Sequence, residues 1–127
     1  MTKLVYCVTR RDDVPPEEFY RYWLEEHGPK VRSVAKAIGA VKYIQSHTVL
    51  PERNRALQEG RGLEPPYDGI TEVWFDDAGP DPSTTADERR AAARMLMDDE
   101  STFIDFSRSR VFMTEEHTIF DYTTQEQ

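Results

Sequence analysis

The segment Glu17–Val31, EEFYRYWLEEHGPKV, places Phe19, Trp23 and His27 four residues apart. Residues with this spacing lie on one face of an α-helix, so the segment predicts a helix with a single stripe of large side chains. Two aromatic side chains on that stripe must be covered by a second layer of structure. Because His27 lies on the same stripe, it is expected to face the same interior. The Gly-Pro pair that follows the histidine predicts a kink or a break in the helix.

Periodic apolar patterns predict the remaining elements around this helix. Strands are expected at residues 3–9, 41–50, 68–76 and 111–122. A second long helix is expected after Thr85, because Thr85 and Glu88 have the spacing of a capping box, and a short helix is expected at residues 101–107. The segment Leu50–Tyr67 carries three prolines and two glycines, so it is expected to be a long polar loop.

The resulting order of elements, β-α-β-loop-β-α-β, is that of the split βαβ or ferredoxin-like fold. The expected fold class is therefore α+β, with an antiparallel four-stranded sheet, both helices on one face, and a single domain over residues 1–127. The other face of the sheet then needs cover, and a second copy of the chain is the simplest cover. We accordingly expect a homodimer.

The charge of the chain argues against two classes of partner. It has 16 basic and 24 acidic side chains and a formal net charge of −8, whereas nucleic acids and anionic membrane surfaces are bound by basic faces. No apolar run approaches a membrane span or a signal peptide, so the cytoplasm is the expected location. Cys7 is the only cysteine, which excludes an internal disulfide and a thiolate cluster, and its apolar neighbours predict a small core residue.

Three histidines, His27, His47 and His117, fall on three different predicted elements. His27 is either a satisfied core residue or an acid–base group at the helix break, where a cavity opens at the rim of the sheet. His47 shares a strand face with Tyr43 at roughly 13 Å, so the two either line opposite ends of one pocket or leave His47 at the surface. His117 is either a pocket residue or an exposed cross-strand partner.

Glu72 lies in the middle of a predicted strand, between Ile70 and Trp74 on the same face. If the helices cover that face, a carboxylate lies in the core, where it must find a partner or take a raised pKa. Glu72 would then be a polar group of a ligand cavity. In the alternative interpretation, it forms an ion pair with an arginine or faces the solvent.

Motifs for metals and cofactors are absent from the sequence. Histidines and glutamates do not recur at the spacings HxxxH, HxH or HxxE, and the glycine-rich phosphate-binding, GxSxG and CxxC motifs are missing. A metal site built from isolated residues on separate elements is the weaker alternative. We therefore expect neither a metal nor another cofactor.

The strings KLVYCVTRRDD, EEFYRYWLEEHGPKV, DGITEVWF and FMTEEHTIF, together with a strand that holds Tyr43, resemble the EthD domain family. The resemblance runs from Lys3 to about Phe120, and F-x-x-x-W-x-x-x-H-G-P is its most specific part. It implies a dimeric α+β barrel in which each subunit holds a cavity between its sheet and its helices. His27 matches the histidine of that string, a candidate acid–base group in catalytic relatives, and Tyr43 matches a cavity tyrosine of the isomerase-like branch.

The relatives that this resemblance implies include cofactor-free quinone-forming monooxygenases, aromatic polyketide cyclases, fungal polyketide dehydratases and muconolactone isomerases. The cysteine of the isomerases falls on Val73, which argues against their particular chemistry, and Leu50–Tyr67 is longer than in the compact members. The expected function is cofactor-independent dehydration, cyclisation or isomerisation of a small hydrophobic molecule, aromatic or polyketide-like. Cofactor-free oxygenation, and binding without catalysis, are the alternatives.

The predicted site combines proton transfer with substrate contact. His27 is expected to move the proton, while Tyr43 and Glu72 orient the substrate or stabilise the charge of an enolate. The side chains expected to contact the substrate are those of Phe19, Trp23, His47, Trp74 and His117.

Overall fold

A four-stranded antiparallel sheet organises the chain, as seen in a computed structural model that describes residues 1–123. Its strands are β1 (Thr2–Val8), β2 (Ala40–His47), β3 (Gly69–Phe75) and β4 (Arg110–Glu115). They lie in the order β2-β3-β1-β4, and every neighbouring pair is antiparallel. This is the predicted ferredoxin-like order, and the α+β fold class is confirmed.

The helical segments follow β1, β2 and β3 in turn. After β1 come α1 (Pro16–Tyr22), a π-helical turn (Trp23–His27), α2 (Gly28–Ser33) and α3 (Ala35–Ile38); the later segments are α4 (Pro51–Arg61), α5 (Ala86–Glu100) and a 3₁₀ turn (Phe106–Arg108). The predicted capping box begins α5, with the Thr85 hydroxyl accepting from the N–H of Glu88 at 3.0 Å. No helix within the described residues is long and apolar enough to cross a membrane.

Strand alternation gives the sheet two faces of different character. Leu4 lies opposite Val73, and both side chains face the space under the helices. The next pair in the ladder is Val5 and Glu72, and the side chains of both point to the other side of the sheet, here called the outer face. Because successive side chains point to opposite faces, a residue and its neighbour in the sequence are always separated in this way.

The predicted helical stripe forms the centre of the core. Phe19 and Trp23 are fully buried and pack with Val8, Phe103 and Ile104. The ring centroid of Phe19 lies 5.6 Å from that of Trp23 and 5.7 Å from that of Phe103. Aromatic pairs at such separations add about 0.5–1.5 kcal/mol each beyond the area they bury. These contacts fix α1 and the π turn against the sheet.

The helix does not break at Gly28-Pro29, contrary to the prediction. Gly28 keeps helical dihedral angles, with φ −52° and ψ −51°, and its N–H donates to the carbonyl of Trp23, five residues earlier. This wide turn accommodates the missing N–H of Pro29 without ending the helix. The interruption comes instead at Val34, whose φ is −116°, and Gly39 ends α3 at φ 75° as predicted.

The segment Leu50–Tyr67 contains a helix, so the prediction of a long loop is wrong. Pro51 occupies the first position of α4, where its missing N–H costs no hydrogen bond, and Gly62 ends the helix with φ 64°. These residues therefore mark the ends of a helix, whereas the prediction treated them as breakers throughout. No residue of α4 is buried.

Other boundaries also differ from the prediction. β2 ends at His47, and β4 ends at Glu115 because its partner strand begins directly opposite, so His117 lies beyond the sheet. Residues 101–107 form turns and the start of a 3₁₀ turn in place of an α-helix. Cys7, which we expected in the core, is half-buried on the outer face, since it lies one residue before the fully buried Val8.

Gly69 allows the indole of Trp23 to lie directly against β3. A Cβ atom at this position would come within 2.5 Å of the carbonyl oxygen of Ser46 and 2.7 Å of two ring carbons of Trp23. Neither neighbour can move easily, because one belongs to the backbone of β2 and the other is fully buried. The position therefore requires glycine.

We expect Gly69→Ala to destabilise the protein by about 3 kcal/mol, the upper part of the usual range for overpacking a core. Gly60→Ala is the matched control, because a Cβ atom there, inside α4, meets nothing within 4 Å. The control should gain about 0.5–1 kcal/mol from the higher helix propensity of alanine. Urea unfolding of the three proteins measures both changes, and an unchanged midpoint for Gly69→Ala would contradict this packing of Trp23.

Candidate active site

His27 lies at the end of the π turn, with its imidazole directed into the interior. The residue is 5% exposed, and its Nδ1 lies 2.7 Å from Oδ2 of Asp99, which is near the end of α5. The ring of Phe103 packs against the imidazole at a centroid separation of 5.2 Å. The histidine is therefore held in one orientation between two helical segments.

Asp99 is a buried carboxylate, 8% exposed, with partners on both oxygens. Its Oδ1 accepts from Nζ of Lys30 at 2.7 Å and from the hydroxyl of Tyr22, while Oδ2 faces His27. Burial alone would raise the pKa of Asp99, but these three hydrogen bonds together hold it below its ordinary value. Asp99 is therefore ionised at neutral pH, and it acts as an acceptor toward the imidazole.

The protonation state of His27 follows from the same surroundings. Burial lowers the pKa of His27 below its ordinary value, and Asp99 opposes this only in part. The imidazole is therefore neutral at pH 7, with its proton on Nδ1, where the carboxylate accepts it. Nε2 has no hydrogen-bond partner within residues 1–123, whereas every fully buried side-chain nitrogen or oxygen of that range has one. Nε2 thus presents its lone pair to open space.

That space is a cavity of about 460 Å³ between the sheet and the helices. Its polar lining consists of Tyr6, His27, Tyr43, Thr71, Glu100, Ser109 and Arg110. The rest of the lining is apolar, and its exposed members, Met97, Phe106 and Val111, mark the mouth. Cavities of this size and character hold small hydrophobic molecules and orient them through a few polar groups.

Tyr43 enters the cavity from β2 and is held by Gln45. Nε2 of Gln45 donates to the hydroxyl of Tyr43 at 2.8 Å and to the carbonyl of Trp23, in the π turn, at 2.7 Å. Burial raises the pKa of Tyr43, and hydrogen bonds from Gln45 and Thr71 oppose this only in part. The phenol is therefore protonated at neutral pH, and its own O–H remains able to donate.

Glu100 lines the same cavity, and its pKa is shifted in the opposite direction from that of its neighbour Asp99. Burial raises the pKa of Glu100 to about 7, and a hydrogen bond with Tyr6 opposes this only in part. Burial likewise raises the pKa of Tyr6. At neutral pH the Tyr6 phenol is protonated, and the Glu100 carboxyl keeps its proton to a much higher pH than an exposed glutamate does.

The structure brings together three of the predicted site residues, since His27, Tyr43 and Trp23 all line the cavity. Phe19 supports Trp23 from the core without reaching the cavity. His47 stacks on the indole of Trp23 with ring centroids 4.6 Å apart and also lies outside the lining. Tyr43 and His47 therefore do not form two ends of one pocket, because Trp23 separates His47 from it.

Glu72, Trp74 and His117 lie away from the cavity, which corrects their predicted place in the site. Glu72 and Trp74 point to the outer face, because Val73 between them faces the helices. Glu72 accepts from Nζ of Lys3 at 2.7 Å, which is the ion pair of the alternative interpretation with lysine in place of arginine. The side chain of His117 is 77% exposed beyond the end of β4.

Our sequence reasoning missed the acidic end of α5. Asp99 lies seven residues after the buried Ala92, so both belong to one helical stripe, and a carboxylate on such a stripe is a signal that was available. The same type of signal identified His27. Glu100 and Tyr6 gave no comparable signal, because their meeting depends on how α5 packs over β1.

No three or more histidine, cysteine, aspartate or glutamate side chains within residues 1–123 are grouped so that they could hold a metal ion. His27 uses one ring nitrogen for Asp99 and offers only the other to the cavity.

Several solved structures share this fold at low sequence identity. An EthD-family protein from Bacillus halodurans has a TM-score of 0.58 and 16% identity, over 92% of this chain and 99% of that one. The Arabidopsis thaliana protein At3g17210 has a TM-score of 0.56 and 17% identity, over 94% and 99%. HapK from Hahella chejuensis has a TM-score of 0.53 and 10% identity, over 98% and 99%. None of the curated proteins matches the chain.

The sequence profile of the EthD domain matches residues 11–107. The matched range includes the helical stripe, the π turn with His27, strands β2 and β3, and the end of α5 with Asp99 and Glu100. It covers well over half of the chain, and it agrees with the resemblance carried by the F-x-x-x-W-x-x-x-H-G-P string. The chain therefore belongs to the EthD domain family.

Proposed function

We propose that the chain is a cofactor-independent enzyme that transfers a proton on a small hydrophobic molecule, aromatic or polyketide-like, in a dehydration, cyclisation or isomerisation. The observation that carries this proposal is the neutral imidazole of His27, which lines the cavity while its Nδ1 is bonded to Asp99, so that only Nε2 is left for a ligand. A neutral imidazole nitrogen at the wall of a cavity, with its lone pair not used by another protein group, is placed to accept a proton from a ligand.

His27 would act as the general base of this reaction. Its Nε2 would take a proton from a carbon next to a carbonyl group, and Asp99, 2.7 Å from Nδ1, would stabilise the positive charge that forms on the ring. The carbonyl oxygen becomes an enolate, and Tyr43 can donate its O–H to it because Gln45 already donates to the phenol oxygen. Both developing charges would thus meet groups that are already oriented.

The cavity favours a hydrophobic substrate. Its volume of about 460 Å³ lies within the range of roughly 300–1,000 Å³ that is usual for small-molecule sites. Its apolar lining includes Leu4, Val31, Val73, Leu96 and Ile104. A fused aromatic ketone can pack its rings on these side chains while its carbonyl group and adjacent carbon face Tyr43 and His27.

We further propose that the outer face pairs with a second copy of the chain. Phe112 and Ile44 are 49% and 38% exposed, and the strand register places them on this face together with Val5 and Ile70. Apolar side chains exposed on a sheet face are unfavourable in water, and two such faces can stack about 10 Å apart with interleaved side chains. A homodimer would bury them.

The role of His27 can be tested with 1-tetralone, a bicyclic aromatic ketone, in deuterium oxide. The protein is expected to accelerate replacement of the protons next to the carbonyl group, measured by NMR. His27→Gln should slow this exchange by about 10²–10⁴-fold, the usual contribution of a general base. His117→Gln, which changes an exposed histidine, should leave the rate unchanged.

The other outcomes of this experiment separate the alternatives. Equal rates for the parent protein and His27→Gln would contradict the role of His27 as a base. Binding of 1-tetralone without catalysed exchange would favour a non-catalytic binding protein. Oxygen uptake with anthrone, a tricyclic ketone that enolises readily, would favour cofactor-free oxygenation.

The role of Asp99 can be tested through the pH dependence of the same exchange. The rate should rise with pH as His27 loses its proton, with a midpoint below the ordinary histidine pKa of about 6.5. Because the charge of Asp99 raises the pKa of His27, Asp99→Asn should move this midpoint to lower pH and reduce the plateau by about 10-fold or more. Asp98→Asn, an exposed neighbour paired only with Arg94, is the control. An unmoved midpoint would contradict the coupling.

The dimer can be tested by light scattering coupled to gel filtration. The parent protein is expected to be a dimer, and Phe112→Glu is expected to be a monomer, because it places a charge in the proposed interface. Leu57→Glu adds the same charge at a similarly exposed position of α4 and should remain dimeric. A monomeric parent protein would contradict the proposal.

A further inference from the structure

Glu100 is a half-buried acid of the cavity that the proton abstraction described above does not use. It lies at the last position of α5 and lines the cavity together with His27. The phenol of Tyr6, on β1, lines the same cavity, and its interaction with Glu100 lowers the pKa of that carboxyl group. No lysine, arginine or histidine within residues 1–123 forms a salt bridge with it, although Asp99, directly before it, has both Lys30 and His27.

This difference between neighbouring acids indicates different roles. A buried carboxyl group that serves the fold is normally ionised and paired, as Asp99 is. The titratable groups that line the cavity with Glu100 are Tyr6, His27, Tyr43 and Arg110, and Asp99 precedes it on α5. The phenols and the second carboxylate supply no positive charge, and within residues 1–123 neither His27 nor Arg110 forms a salt bridge with Glu100, so its proton is retained.

We propose that Glu100, positioned by Tyr6, is the catalytic residue that donates a proton to the leaving group while His27 removes one, and that the substrate class is a β-hydroxy ketone. This inference rests on the function proposed above, because it needs His27 as the base. It selects dehydration from the three reaction types, since loss of water requires both a base and an acid.

The proposed step balances in atoms and electrons. Nε2 of His27 takes the proton from the carbon next to the carbonyl group, and the electron pair of that C–H bond forms a C=C bond to the β-carbon. The C–O bond of the β-carbon breaks, the carboxyl proton of Glu100 passes to the departing oxygen, and water leaves. The products are an unsaturated ketone, an imidazolium and a carboxylate. The imidazolium of His27 then releases a proton to solvent and the carboxylate of Glu100 takes one up, which restores both residues.

Three probes on one ring system separate the role of the acid from that of the base. Exchange of the protons next to the carbonyl group of 1-tetralone for deuterium requires only the base. Elimination from 3-hydroxy-1-tetralone, which gives 1-naphthol and water and is followed by naphthol fluorescence, requires the base and the acid. Elimination from 3-acetoxy-1-tetralone requires only the base, because acetate leaves without being protonated.

Glu100→Gln is expected to slow elimination of the hydroxy compound by about 100-fold or more, the usual scale for loss of a general acid. Exchange of 1-tetralone and elimination of the acetoxy compound should stay within about threefold of the parent protein, because the rate loss of an acid is rescued by a better leaving group. Glu59→Gln, an exposed change on α4, should leave all three rates unchanged. Elimination of the hydroxy compound by the parent protein should fall above a pH of about 7, as Glu100 loses its proton.

Tyr6→Phe is a second variant that tests the positioning role. The hydrogen bond from Tyr6 favours the ionised form of Glu100, so its loss should move the alkaline fall in rate to higher pH. A merely structural role of Tyr6 would lower the rate without moving this midpoint.

Three results would overturn the inference while leaving His27 as the base. The parent protein could catalyse proton exchange of 1-tetralone but no elimination of the hydroxy compound. Glu100→Gln could eliminate the hydroxy compound at the full rate, or it could lose all three rates equally, which would assign Glu100 a structural role. If the parent protein catalyses no exchange that depends on His27, the proposed function fails, and this inference fails with it.

Discussion

The hydrogen bond between Nδ1 of His27 and Oδ2 of Asp99, at 2.7 Å, is the interaction on which the rest of the site depends. It joins the π turn to the end of α5 and thereby closes the helical layer over the sheet. A buried carboxylate is costly unless its other oxygen is also satisfied, which explains why Lys30 and Tyr22 converge on Oδ1. By fixing the proton on one ring nitrogen, this bond leaves the lone pair of the other nitrogen facing the cavity.

Burial at one cavity shifts the pKa values of a histidine and a glutamate in opposite directions. In water a histidine, with a pKa of about 6.5, holds a proton more tightly than a glutamate, with a pKa of about 4.3. Burial disfavours the charged form of each, so it lowers the pKa of His27 and raises that of Glu100 to about 7. The two pKa values are thereby shifted toward each other, so the carboxyl group keeps a proton more readily than in water and the imidazole gives one up more readily.

Much of the fold could be predicted from the sequence, because its signals are local. The stripe through Phe19, the capping box at Thr85 and the order of strands each depend on spacing within one element. The helix that begins at Pro51 was missed, since proline is compatible both with a loop and with the first turn of a helix. The face of Glu72 could not be read from its strand alone, because pairing with β1 decides which face the helices cover.

The π turn links the positions of His27 and Tyr43 through the backbone. In an α-helix the carbonyl of each residue accepts from the residue four positions later, but here the carbonyl of Trp23 accepts from Gly28, five positions later. The same carbonyl accepts a second bond from Gln45, whose amide also holds the hydroxyl of Tyr43. The irregularity that carries His27 to the cavity wall therefore ties its backbone to the strand that supplies Tyr43. A change in this turn would displace the imidazole of His27 and the phenol of Tyr43 together, so the geometry of the two groups proposed to act on a substrate is set by a single backbone feature.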